Sequence, residues 1–361
     1  MNKLVNQYNP DYVSPPGETL WDILKDRGMT QAELAQRTGR KTKTINQIIK
    51  GIAPLTPKTA IQLERVLGAP ASFWNNREKK YQEFLARQEE QEELKKQIDS
   101  LNSTPVKYMI KHGWIQKFDN KVLQIQEVLN FYGIASPEQY KVVLSESYYH
   151  KSRVLKSDPH ALLAWLRKGE IEAQKIQIEP YSLSNFNKNL KKIRSLTVKP
   201  TEIFLPQLIE LCALSGVALV FIPELPRTRI FGAVRWLNPQ KALIQLSLRY
   251  KTDDHFWFSF FHEAGHIILH GKKDVFLDED LTEGDKEMEA NRFAANSLIP
   301  YNELERFRRT NKRSIKDIED FAEKLSISPG IVVGQLQYIG YLPMSHCNKL
   351  KRHIDWGQIP D

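Results

Sequence analysis

The sequence predicts a multidomain chain: an all-α amino-terminal domain with a helix-turn-helix, a helical middle region, and an α+β carboxy-terminal domain with a small sheet. Three observations carry this. Short capped helices punctuated by glycine run from residue 15 to 67, helical apolar spacing broken by prolines follows, and short β-rich runs begin at Gly216. At 361 residues the chain can bury two or three separate cores.

Composition narrows the function classes. A hydrophobic content of 41% without low-complexity tracts indicates an ordered protein. The net charge of +9 is compatible with a nucleic-acid partner and does not establish one. Cys212 and Cys347 provide neither a disulfide framework nor a cysteine zinc site. No apolar stretch reaches the roughly 18 residues of a spanning helix, and Met1-Asn2-Lys3 opens no signal-peptide core. The expectation is a cytoplasmic protein with no membrane contact.

In the amino-terminal domain a first helix fits Glu18 to Asp26 and stops at Gly28. Thr30-Gln31-Ala32-Glu33 is a capping box that opens a second helix ending at Gly39. Thr42 to Lys50 makes a third, with Ile45, Ile48 and Ile49 facing inward, and Gly51 ends it. Thr56-Pro57 caps a fourth. Two short helices around a glycine turn form a helix-turn-helix. Its groove-facing candidates are Lys41, Thr42, Lys43, Asn46 and Gln47. Lys41, Lys43 and Lys50 suit phosphates, and the amides of Asn46 and Gln47 suit adenine edges. A helical bundle with a merely solvated polar face fits the same periodicity.

Ser72 to about Leu101 reads as one long helix whose charged late part, Arg87 to Lys96, has almost no apolar face. That indicates a solvated linker rather than a coiled coil. Asn102-Ser103-Thr104-Pro105 marks a boundary. The middle region shows no catalytic constellation; Tyr148 to Ser152 and Trp165 to Glu170 read as core aromatics beside a solvated face. The expected domains are therefore 12–86, a linker at 87–104, a helical region at 105–200, an α+β domain at 201–343 and a basic tail at 344–361.

The chemistry concentrates in His262-Glu263-Ala264-Gly265-His266, an H-E-x-x-H inside an apolar run that reads as a buried helix. At four residues' spacing His262 and His266 share a face and can grip one metal ion. A catalytic zinc takes three protein ligands and leaves a position for water, whose proton an adjacent carboxylate, here Glu263, can take. His270 lies roughly 12 Å beyond His262 along the helix and cannot be the third ligand. A helix from Glu287 to Leu298 can supply it, since Glu287 falls within the buried stripe of Ala290, Phe293, Ala294, Ser297 and Leu298. Glu287 is the expected ligand and Glu289 the alternative. Asn291, one turn on, is placed to orient a ligand. Ahead of this helix, 216–222, 231–237 and 242–248 read as three strands, whose sheet edge could take an extended peptide. Two short helices within 315–342 lack a basic outer face and read as packing for this domain.

Two resemblances rest on these residues. Pro16-Gly17-Glu18-Thr19-Leu20, Gly28 to Ala35, Ile48-Ile49-Lys50-Gly51 and Leu67 to Trp74 resemble the XRE-type helix-turn-helix of HigA-like antitoxins over residues 12 to 86. That implies a homodimeric repressor of its own operon, with operator DNA as partner. Arg40-Lys41-Thr42-Lys43 is more basic than the family's turn. Phe256 to His270, Glu287 to Ala295 and Leu298-Ile299-Pro300 resemble the ImmA/IrrE metallo-endopeptidases. That resemblance implies a zincin-like, gluzincin-type Zn2+ fold that cuts repressor proteins, with His262 and His266 as zinc ligands, Glu263 as general base, and the third ligand from the acidic helix. No oxyanion-stabilising residue carries over; Tyr250, His255 and His270 are more simply structural. The expected function is a DNA-binding regulator with a zinc endopeptidase that cuts a partner repressor or toxin. The alternative is a toxin–antitoxin-type repressor whose metal site is structural or sensory.

Overall fold

A computed structural model describes residues 12–140, 158–226, 228, 230–247, 249, 251–271, 276–279 and 284–354, the last strand (276–279) by its backbone alone. The chain forms two compact units, Met1–Ile98 and Asp99–Asp361.

The first unit holds α1 (Pro16–Asp26), α2 (Gln31–Thr38), α3 (Thr42–Ile49), α4 (Pro57–Leu67) and α5 (Ala71–Lys96). The caps act where the residue types place them: the Thr30 and Thr56 hydroxyls accept from the amides of Glu33 and Thr59. Gly39 closes α2 at φ 67°, a left-handed conformation that costs glycine little. Leu20, Leu24, Leu34, Ile45, Ile48, Leu63 and Trp74 make one core. Gly17 lies so close under α3 that a Cβ there would overlap the Ile48 carbonyl, which fixes α1 against α3. The long helix ends at Lys96, and a short 3-10 stretch, Ile98–Asn102, follows before Pro105.

The second unit begins with α6 (Val106–Lys111), α7 (Lys121–Tyr132), α8 (Pro159–Lys175), α9 (Leu183–Ser195) and α10 (Thr201–Ala213). Then come β1 (Val217–Phe221), β2 (Ile230–Asn238), β3 (Lys241–Leu246), α11 (Asp253–Leu269), β4 (Phe276–Glu279), α12 (Asp285–Leu298), α13 (Tyr301–Arg309), α14 (Ile315–Leu325) and α15 (Pro329–Tyr338). The sheet has four strands in the order β1-β3-β2-β4, not the expected three. Only β1 and β3 run parallel; β4 is an antiparallel edge beside β2. A four-residue strand reached after the metal helix has too little periodicity to announce itself.

Alternation along the strands divides the core. Val217, Leu219, Val234 and Ile244 pack towards Phe260 and Phe261 of α11, while Ala218, Val220, Ala233 and Leu243 pack on Leu162, Trp165 and Leu166 of α8. Trp165 Nε1 donates to the Ile222 carbonyl at 2.9 Å, and Gln245 Nε2 donates to the Trp165 carbonyl at 2.7 Å. Helix α8 and the sheet therefore belong to one unit, in which α8 covers the second of the sheet's two apolar faces. Helices α14 and α15 pack in the main core through Phe321, Ala322, Ile331 and Val332.

The expected basic tail is a strap as far as Ile354, and residues 355–361 lie outside the described set. His353 bridges Thr252. Lys351 Nζ meets Asp254 at 2.7 Å, and Arg352 Nε meets the buried Asp253 at 3.1 Å. Basic residues that pair with buried carboxylates read simply as a basic tail when only the sequence is known.

Candidate functional site

Helix α11 carries the motif because its other faces are almost wholly apolar: Phe256, Trp257, Phe260, Phe261, Ala264 and Ile267 are buried. His262, Glu263 and His266 are buried with them. Gly265 lets α12 come close. A Cβ there would meet Phe293 Cδ1 at 3.1 Å and Ala290 Cα at 3.3 Å.

That approach brings Glu287 to the histidines. Nε2 of His262 and Nε2 of His266 stand 3.0 Å apart, and each lies 3.2 Å from Oε2 of Glu287. Ligands at about 2.0–2.1 Å around a tetrahedral zinc are roughly 3.3 Å from one another, so the trio has the dimensions of a metal site. Its chemistry points the same way. Nδ1 of His262 lies 2.9 Å from Oδ1 of Asn291, to which it donates. Nδ1 of His266 lies 2.9 Å from Nδ1 of His270, and Nε2 of His270 lies 3.1 Å from Oε2 of Glu289. With both Nδ1 protons used outward, two Nε2 lone pairs and a carboxylate oxygen face one point, which suits a cation. Burial lowers the His266 pKa to about 4, so the ring is neutral near pH 7. In the metal-free protein burial raises the Glu287 carboxyl, but hydrogen bonds from His262 and His266, when an Nε2 rather than an Nδ1 carries the proton, outweigh it and hold the pKa at about 2. Glu287 is ionised. Glu289, the alternative ligand, goes to His270 instead.

Glu263 lies against the sheet. A Cβ at Gly232 of β2 would overlap Glu263 Oε1, so any side chain at this strand position would have to displace that carboxylate. A register shift between Ile230 and Gly232 bulges β2 where it pairs with β4, beside this carboxylate.

In the first unit, Lys41, Thr42 and Lys43 at the start of α3 and Lys50 at its end are exposed, while Asn46 and Gln47 between them are half-buried. Asn46 Nδ2 donates to Gln31 Oε1 at 3.1 Å, so α2 holds that amide. Ile45 and Ile48 face the core.

Comparison with known proteins separates the two units. The family described as an IrrE N-terminal-like domain, Peptidase_M78, matches residues 232–336, and the helix-turn-helix family HTH_3 matches residues 22–74. The chain is thus similar to a helix-turn-helix family in its first unit and to the IrrE N-terminal-like family in its second. The IrrE-like match contains the whole H-E-x-x-H motif, Glu287 and Asn291, together with Gly232 at its first residue. The helix-turn-helix match contains every DNA-facing candidate. Among solved structures, a candidate antidote protein of a plasmid maintenance system from Nostoc punctiforme is 32% identical over 23% of this chain and 91% of its own, with a TM-score of 0.23. An addiction module antidote protein of the HigA family from Coxiella burnetii is 25% identical over 23% and 92%, with a TM-score of 0.22. No curated protein matches the chain. No described helix is long and apolar enough to cross a membrane.

Three features of the IrrE-like domain escape sequence reasoning: Gly232 behind Glu263, the His270 and Glu289 pair behind His266, and the close approach at Gly265. Only the last left a trace, as a glycine inside an otherwise helical pattern. Tyr250 lies outside the described residues, as do Tyr148 to Ser152. His255 lies at the amino-terminal end of α11, two turns before His262.

Proposed function

We propose that the chain is a DNA-binding regulator whose IrrE-like domain is a zinc endopeptidase that cuts a regulatory protein. One observation carries the hydrolytic half: two imidazole nitrogens and one carboxylate oxygen converge within 3.2 Å of each other, next to the buried carboxylate of Glu263.

His262, His266 and Glu287 would hold the ion, a two-nitrogen, one-oxygen set that suits zinc. When bound, zinc supplies Lewis acidity, lowering the pKa of water and polarising a carbonyl. The remaining work falls to the protein. Glu263 takes the proton from the attacking water and returns it to the leaving amine, so one carboxylate serves as base and then as acid. Gly232 and the bulged β2 hold that carboxylate still. The edge strand β4 offers main-chain groups to an extended peptide lying antiparallel to it.

The helix-turn-helix supplies the address. Lys41, Lys43 and Lys50 would neutralise phosphates while Thr42, Asn46 and Gln47 face the bases. The DNA partner is the operator of its own operon, bound by a homodimer. The protein partner is a repressor or toxin encoded nearby.

The test mixes the zinc-loaded full chain with the products of neighbouring genes and follows cleavage by mass spectrometry. Wild type should cut one of them and Glu263→Gln none. If wild type and Glu263→Gln leave identical intact partners, proteolysis is excluded and a repressor with a sensory or structural metal site stands in its place.

A further inference from the structure

Along α11 the metal face continues towards the amino terminus. His262 is followed one turn back by Phe258, whose ring centroid lies 6.3 Å from that of His262, and one turn further by Asp254. The same side of α12 runs from Asn291, on the His262 ring, to Arg292, Ala295 and Asn296. Between these two helix stretches and α13 and α15 lies a cavity of about 790 Å³. It begins one turn from the ligands.

Its wall is mostly apolar, with Phe258, Ala295, Leu304, Ile331 and Ile339 as the main contributors. The carboxylates on it are paired within the protein: Asp254 with Lys351 and Glu305 with Arg308. A cationic occupant would find no unmatched carboxylate to pair with. An apolar cavity of this size with a few polar side chains on its wall, Arg292 and Asn296 among them, is the usual form of a binding pocket.

We propose that this cavity is the specificity pocket of the hydrolytic site and receives a bulky apolar side chain of the substrate, flanking the scissile bond. The proposal rests on the proteolytic reading above for its biological use, though the pocket can be tested without catalysis. Phe258 links pocket and metal face, and Ala295 sets the width.

The experiment uses the zinc-loaded full chain carrying Glu263→Gln and two dipeptide hydroxamates as metal-directed probes. One bears an indolylmethyl or isobutyl group beside the hydroxamate; the other bears only hydrogen. Calorimetry should show the bulky probe binding at least about tenfold more tightly, the effect expected from burying one large apolar side chain. Adding Ala295→Phe should erase that advantage while zinc content and affinity for the small probe stay unchanged. If that variant does not fold, Ile339→Trp narrows the pocket from its exposed side. Equal affinities for the two probes, no binding of either, or an advantage that survives the narrowed pocket would each overturn the proposal. A clear preference with no cleavage by wild type would sink proteolysis and leave the pocket. Cleavage by wild type without the preference would do the reverse.

Discussion

Nδ1 of His266 and Nδ1 of His270 stand 2.9 Å apart, and Glu289 closes the chain behind them at 3.1 Å. In the proposed zinc site, the H-E-x-x-H helix would thus carry a third histidine that supports a ligand without being one. Outer partners of this kind fix tautomer and ring orientation, and their loss costs on the order of 10- to 100-fold in metal affinity. His270→Ala should weaken zinc binding by that factor in competition with a chromophoric chelator, with Glu289→Gln falling between it and wild type. Wild-type affinity in both variants would remove His270 from the site.

Gly232 makes a separate demand on the base. Its backbone is not in the left-handed region, so alanine fits the strand itself, but the added Cβ would overlap Glu263 Oε1. Gly232→Ala should cut peptide hydrolysis roughly 100-fold, the scale of a misplaced general base, while zinc affinity changes little. Hydrolysis within twofold of wild type would show that Glu263 has another resting place.

What could be read in advance follows physical range. The helix-turn-helix was legible because caps, glycines and apolar spacing act within a few residues of one another: Thr30 caps Glu33, and Gly39 turns the chain. His262, His266 and Glu287 were nameable because helical periodicity alone puts two rings on one face and one glutamate on a buried stripe. What was missed is long-range. Whether α8 covers the sheet, whether Gly232 lies behind Glu263, and whether Arg352 reaches Asp253 depend on pairings between residues tens of positions apart, which leave no local pattern.

The Asp253 carboxylate shows how much such a pairing matters. It is 1% exposed, receives the Ser328 hydroxyl at 2.5 Å, and is met by the backbone and side chain of Arg352. Arg352 also donates to the carbonyls of Thr197 and Lys199, tying the strap to both α10's entry and the metal helix. Removing one partner of a buried pair costs about 3–5 kcal/mol. The Arg352 side chain is partly exposed, so Arg352→Ala should cost about half that, or roughly 2 kcal/mol, read as a lowered urea midpoint. An unchanged midpoint would show the strap to be dispensable.

The titration of the site gives the metal-free protein a defined pH dependence. Burial puts His266 at about 4 in the folded state against 6.5 in the unfolded chain. The unfolded chain therefore binds more protons between those values, and stability falls as pH drops through that window. Glu287 acts in the same direction lower down: its folded value of about 2 lies below the 4.5 of an ordinary glutamate, so its stabilisation is present above 4.5 and is lost as pH falls towards 2. Urea denaturation of the metal-free protein at pH 7, 5.5 and 4.5 should show a progressive loss, and His266→Gln should flatten the upper part of it. A stability profile flat from pH 7 to 4.5 would contradict the buried, neutral state of His266.

The amino-terminal unit divides its DNA-facing residues into two kinds of test. Lys43 is exposed on α3, so in a complex its charge would act on phosphates regardless of sequence. Lys43→Ala should weaken binding to specific and non-specific DNA alike and reduce the salt slope by about one unit. Gln47 carries an amide, half-buried one turn further along α3. Gln47→Ala should instead cost on the order of 1–3 kcal/mol on the operator, leave non-specific binding unchanged, and keep the salt slope. Fluorescence anisotropy over a salt series separates the two. If both variants lose affinity equally on operator and random duplexes, α3 touches only the backbone and sequence is read elsewhere.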